Sequence, residues 1–138
     1  MQRKGGGYRK PDLSARILSL LSETSFKRFF RQIWSDIPGE STRDHPAPYP
    51  LSLADRLIRM FSFVGDTVLD PFNGTATTQV AAAACGRNSI GIEVDPGYYA
   101  DGLERLHRES GGLLSTADIC AGGLAGANGV PAKTRVDP

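Results

Sequence analysis

The stretch "GDTVLDPFNGTATTQV", residues 65–80, constrains the fold of this chain more than any other. It reads as a buried strand, "TVLD", that stops at Asp-Pro-Phe, followed by a glycine and small residues that open a helix, "TATTQVAAAACG", ending at Gly86. "SIGIEV" then reads as a second strand, and "DPGYYADGLERLHRES" as a second helix with Asp95 as its N-cap and Pro96 in the first helical position. "LLSTADI" is a candidate third strand. Strands and helices in that alternation predict a doubly wound α/β arrangement, a parallel sheet with flanking helices. A full sheet of this kind has roughly five to seven strands. Two firm strands and a candidate third amount to a partial Rossmann-like fold, in which strands are missing or something else supplies them.

The segments before the sheet are helical and loop-like in turn. Ile17, Leu18, Leu20 and Leu21 form an apolar face from Ser14 onward, and Ser25 is a candidate cap for a second helix bearing Phe26, Phe29, Phe30, Ile33 and Trp34. "SDIPGESTRDHPAPYP" carries four prolines and a glycine and must be loop. "SLADRLIRMFS" resumes helical spacing at Ser52, with Asp55 and Arg59 placed as the helix dipole prefers. The predicted division is a basic flexible N-terminus over 1–12, a partial domain over 13–119 and a glycine- and alanine-rich, disordered tail over 120–138.

Composition removes several function classes. With 138 residues, 40% of them hydrophobic and 22% charged, the chain suits one globular domain. No apolar run approaches the ~20 residues of a membrane span, and the basic start is not followed by the apolar core of a secretory signal. Cys85 and Cys120 lack metal-ligand spacing, and Cys85, set among alanines, reads as a buried free thiol. The net charge of +1 hides an asymmetry, since residues 1–31 carry eight basic side chains against two acidic ones. Such an arm suits phosphate backbones, or it is a solvated helix face with a tail.

Ligands of open α/β sheets sit outside the carboxyl ends of the strands, where Asp70 to Thr78 fall. Gly74 allows the backbone to approach a ligand, and the helix opening at Thr75 offers unpaired N–H groups to an anionic group, a phosphate or an amino-acid carboxylate. The dinucleotide pattern G-x-G-x-x-G is absent, because Ala76 and Gln79 stand at the later glycine positions, and so is the phosphate-cradling G-x-x-x-x-G-K-[ST] loop. Glu93 ends the second strand about 20 residues on, where an acidic side chain accepts from ribose hydroxyls. The ligand implied has a ribose, an apolar portion and a charged end.

These residues carry a resemblance. "DPFNGTATTQVAAAACGRNSIGIEVDPGYYADGLERL" resembles the cofactor half of the S-adenosylmethionine-dependent DNA methyltransferases that modify N4 of cytosine or N6 of adenine, whose signature is Asp-Pro-Phe-x-Gly-Ser/Thr-Gly-Thr-Thr with a Gly-x-Glu strand end. Asp70, Pro71, Phe72, Gly74, Thr75, Thr77, Thr78, Gly91, Glu93 and Tyr98 match it, and the resemblance runs from about residue 34 to 108. It implies that S-adenosylmethionine is the cofactor and DNA the partner, with no membrane or metal involved and a cytoplasmic setting. By the same resemblance Phe72 and the backbone from Asp70 through Pro71 to Gly74, with Thr75 and Thr77, line the cofactor, Glu93 holds the ribose, and His45, Pro46 and Pro48 shape the methionine end. The milder alternatives are Phe72 as core filler, Glu93 as a solvated strand end and His45 as a surface loop residue.

Two departures qualify it. Ala76 replaces the family's second glycine, placing a methyl where backbone approaches the cofactor in the family. The family's catalytic Ser/Asp/Asn-Pro-Pro-Tyr/Phe/Trp element occurs nowhere in the chain; "DIPG" and "PAPY" are the nearest strings. That element accepts hydrogen bonds from the exocyclic amine of a flipped base and stacks on it. In circularly permuted members it precedes the cofactor loop, so the chemistry is expected upstream of residue 1 or on another chain, such as a separately encoded catalytic half. A non-catalytic DNA-binding remnant, resting on "FKRFFRQIW" and the basic arm, and a nucleotide-binding domain of other chemistry are the remaining readings.

Overall fold

The computed structural model describes residues 10–39, 49–110 and 118–122. Three helices come first: α1 (Leu13–Leu18), α2 (Glu23–Phe29) and α3 (Leu51–Phe61). Then follow β1 (Thr67–Asp70), α4 (Thr77–Ala84), β2 (Asn88–Gly91) and α5 (Pro96–Ser110). The strands pair in parallel, Thr67 with Asn88 through Asp70 with Gly91, and α4 is the crossover that parallel pairing requires. The second strand expected from sequence extends to Val94, but the ladder ends at Gly91. Beyond it Ile92 turns its backbone to the corner, donating to the Asp70 carbonyl and accepting from Asn73 N–H, each at 2.9 Å. The candidate third strand falls mostly on 111–117, outside the described residues, as do 1–9, 40–48 and the tail from 123.

The N-terminal helices begin where a side chain can satisfy their first N–H groups. Asp12 Oδ1 accepts from Ala15 N–H at 2.7 Å. Ser22, not Ser25, caps α2: its hydroxyl oxygen accepts from Ser25 N–H at 3.1 Å, and the Ser25 hydroxyl is drawn into the same cap. The helix stops before Ile33 and Trp34, and the Trp34 indole folds back to donate to the Phe29 carbonyl at 2.7 Å.

A buried arginine ties this part to α3. Arg56 lies between the Phe29 and Trp34 rings, 5.1 and 5.0 Å from their centroids, and donates to both carboxylate oxygens of Asp36 at 3.1 and 2.9 Å. Asp36 also accepts from Arg28. The two guanidiniums, Arg56 foremost, hold the Asp36 carboxyl well below the usual carboxylate range.

The core lies between α3 and α4. Ala54 and Ile58 pack against Ala81, Ala82 and Cys85, with Tyr49 and Val68 at the margin. The alanine run is what allows the two helices to approach, and Cys85 is a buried free thiol as its neighbours predict, its pKa raised by burial. Arg87, also buried, donates to the Cys85 and Ser62 carbonyls and closes the end of this layer. Val68 faces these helices. On the other face of the sheet Leu69 and Ile90 are register partners, and together with Ile92 they remain 54–60% exposed. Among the described residues no helix is long and apolar enough to cross a membrane.

Candidate cofactor-binding site

The corner between the two strand ends is built around one carboxylate. Glu93 Oε2 accepts from Gly74 N–H at 2.7 Å, across the gap between the strands. Its Oε1 accepts from Val94 and Asp95 N–H at 2.9 and 2.8 Å. These backbone donors, Asp95 first and then Gly74, stabilise the charged form and lower the Glu93 pKa. A carboxylate has about four acceptor positions, so roughly one stays open toward a ligand hydroxyl. Asp95 Oδ1 meanwhile caps α5, accepting from Gly97 and Tyr98 N–H at 2.8 and 3.0 Å, as the sequence predicts.

The opposite wall is Asp70. Its Oδ1 accepts from Phe72 N–H at 3.0 Å, closing a tight turn over Pro71. Its Oδ2 accepts from the Thr78 hydroxyl, which also contacts the Tyr49 hydroxyl. The turn pushes the Phe72 ring outward until 88% of the residue is exposed, so it is not core filler. An aromatic ring standing free beside open backbone donors is a stacking surface.

Gly74 and Ala76 both take positive φ, 51° and 64°, and this left-handed passage swings the chain into α4. The N–H groups of Thr75, Thr77, Thr78 and Gln79 take no acceptor among the described residues, which leaves the start of α4 open to an anionic group. Ala76 behaves differently from the sequence expectation. It has no exposed surface, and a Cβ on Gly102 of α5 would lie 3.4 Å from the Ala76 methyl and 3.1 Å from the Gly74 carbonyl. The methyl therefore faces α5, not the ligand side, and Gly102 makes room for it. Thr77 is likewise turned inward: its hydroxyl accepts from Arg105 at 3.0 Å, and Arg105 also reaches the Thr75 carbonyl at 3.3 Å.

Of the residues singled out from sequence, Asp70, Pro71, Phe72, Gly74, Thr75 and Glu93 thus surround one corner, while Thr77 offers it only backbone. His45, Pro46 and Pro48 lie outside the described residues. Sequence reasoning missed Tyr49, Arg105 and Gly102 as supports. Each acts on a residue some thirty positions away or packs across helices, and no local pattern signals that.

A family model described as DNA methylase, of the N6/N4 type, matches residues 6–104. The chain belongs to this DNA methylase family. It is 49% identical over 78 residues to the type II methyltransferase M.MthZI of Methanothermobacter thermautotrophicus, an alignment covering 51% of this chain and 22% of that protein. It is 46% identical over 92 residues to M.MjaI of Methanocaldococcus jannaschii, covering 62% and 30% respectively. Among solved structures it resembles a DNA modification methylase of Thermus thermophilus complexed with S-adenosyl-L-methionine, with TM-score 0.68 and 55% identity over 80% of this chain and 43% of that one. The chain thus spans under a third of those curated methylases and under half of the solved one. The likeness bears out the partial Rossmann-like methyltransferase fold expected from the strand–helix alternation.

Proposed function

We propose that this chain is the cofactor-binding part of a DNA methyltransferase that transfers a methyl group from S-adenosylmethionine to an exocyclic amine, N4 of cytosine or N6 of adenine. The observation that carries this is the Glu93 carboxylate bound to Gly74 N–H at the ends of two parallel strands, beside the exposed Phe72 ring. The residues present fit the cofactor: the ring offers a stacking surface, Glu93 an acceptor for a ribose hydroxyl, and the N–H groups at the start of α4, which take no acceptor among the described residues, a seat for the amino-acid carboxylate. The Asp70–Gly74 backbone, with Pro71 and Thr75, would line the remainder, and His45 and Pro46 would shape the methionine end. S-adenosylmethionine supplies an electrophilic methyl on its sulfonium sulfur. This chain's residues bind and orient it.

The acceptor amine would be held by a Ser/Asp/Asn-Pro-Pro-aromatic element that these 138 residues lack. A complementing half of the enzyme, joined to this chain or separate, would bring it. The apolar groove of about 440 Å³ along β1, lined by Leu57, Ile58, Phe61, Thr67 and Val68, supports this reading. So does the bare face of Leu69, Ile90 and Ile92, because a central strand of a parallel sheet is apolar on both sides. The test mixes this chain with the portion of the Thermus methylase to which it does not align, together with DNA and methyl-labelled cofactor. Label is expected in the DNA only when both parts are present. No label from the mixture, with the intact Thermus enzyme active under the same conditions, would count against the reading.

A further inference from the structure

Tyr49 stands just before α3, far in sequence from the corner, and still reaches it. Its hydroxyl contacts the Thr78 hydroxyl, and Thr78 in turn contacts Asp70 Oδ2. The direction of these bonds follows from the inventory of hydrogens. Thr78 spends its single hydroxyl hydrogen on Asp70 Oδ2, so Tyr49 must donate to Thr78. The hydroxyl hydrogens run from Tyr49 through Thr78 to Asp70 Oδ2, and the Phe72 N–H meets the same carboxylate at its other oxygen. The series polarises its members and strengthens the Thr78–Asp70 bond that holds the carboxylate in place. Burial first, and then the Asp70 charge, raise the Tyr49 pKa and keep the phenol a donor.

We infer that Tyr49 is a positioning residue for the cofactor corner: through Thr78 it fixes the Asp70 carboxylate and thereby the turn that presents Phe72. The inference rests on the reading of this corner as the S-adenosylmethionine site. The Tyr49 ring also lines the apolar groove beside β1, so the residue that sets the corner touches the surface where a complementing half would add.

The test uses the whole 138-residue chain and its Tyr49→Phe, Thr78→Val and Thr78→Ser variants. Two quantities are read, the amide resonance of Phe72 in a nitrogen–proton correlation spectrum and the dissociation constant for S-adenosylmethionine. Tyr49→Phe and Thr78→Val are expected to move the Phe72 resonance toward that of a weaker hydrogen bond and to weaken binding about threefold to tenfold, the worth of one hydrogen bond. Thr78→Ser, which keeps the hydroxyl, should restore both. The double variant Tyr49→Phe/Thr78→Val should be no worse than Thr78→Val alone, because both cut one series. A Phe72 resonance unchanged in the two single variants would overturn the inference, and so would independent, additive losses of affinity. If the unaltered chain binds no S-adenosylmethionine, the reading of the corner fails, and the Phe72 resonance by itself still decides the role of Tyr49.

Discussion

Val68 and Leu69 are neighbours in β1 with side chains of similar chemistry, and they meet opposite surroundings. Val68 packs on the Ala54, Ile58 and Ala81 layer, while Leu69 shares the other face with Ile90 and Ile92 and stays largely in contact with water. The difference teaches what kind of strand this is. A solvated antiparallel face would carry polar residues throughout, whereas here Leu69 and Ile90 follow Thr67 and Asn88 toward the corner, leaving its end apolar as in a parallel sheet covered on both sides. The described residues form one of those two layers. The corner at the strand ends takes its internal hydrogen bonds from this layer, since Glu93, Gly74 and Asp70 find their partners within it.

The comparison is most sharply tested on the closed side. Ile58→Ala should cost about 2–5 kcal/mol in denaturant unfolding, since it empties a buried site between α3 and α4. A loss below about 1 kcal/mol would mean that this layer is not the core.

The strand end comes next. A Cβ on Gly91 would lie 2.7 Å from the side-chain amides of both Asn73 and Gln79, and Gln79 is buried. Gly91→Ala is therefore expected to cost about 1–3 kcal/mol through overpacking. The same variant should weaken ligand binding, because Asn73 belongs to the corner turn; thermal unfolding and titration calorimetry on one sample read both.

Acid provides a gentler probe. The Glu93 pKa is lowered from the usual 4.5 by its backbone donors, so its contribution to stability is whole above the unfolded-state value and is lost as pH falls through the folded-state value. Glu93→Gln should be less stable than the unaltered chain at pH 7, and the gap should close as the pH is taken below about 4.5. A gap independent of pH would place the contribution elsewhere.

The smallest effect is expected on the open face. Ile90→Ala should change the stability of this chain by less than about 0.5 kcal/mol, as for surface substitutions generally. If it proves as costly as Ile58→Ala, the face is covered in solution, and size-exclusion with light scattering would show whether a second copy covers it.

The parts of this architecture legible in the sequence are those that depend on neighbours along the chain. The β1 run, the glycine corner, the start of α5 and its Asp95 cap follow from period and capping chemistry within a few residues. The place of Glu93 at the second strand end is reachable because acidic strand ends at that spacing are a recurring device, whereas its bond to Gly74 N–H appears only in three dimensions. The reach of Arg105 to Thr77 spans 28 residues and that of Tyr49 to Thr78 spans 29. Side chains of that kind have no periodicity to betray them. The direction of the Ala76 methyl is hidden for the same reason, since the glycine that accommodates it sits on α5 and not in the loop. Ser22 and Ser25 are equally good caps by residue type, and only the three-dimensional turn decides for Ser22.

The central claim, that the corner between β1 and β2 holds S-adenosylmethionine, is tested most directly by titration calorimetry with the unaltered chain and with Glu93→Ala. Saturable one-site binding that is lost or severely weakened in Glu93→Ala, with no comparable heat from NAD or ATP, is the expected result. The absence of binding by the unaltered chain, or equal affinity in Glu93→Ala, would contradict it.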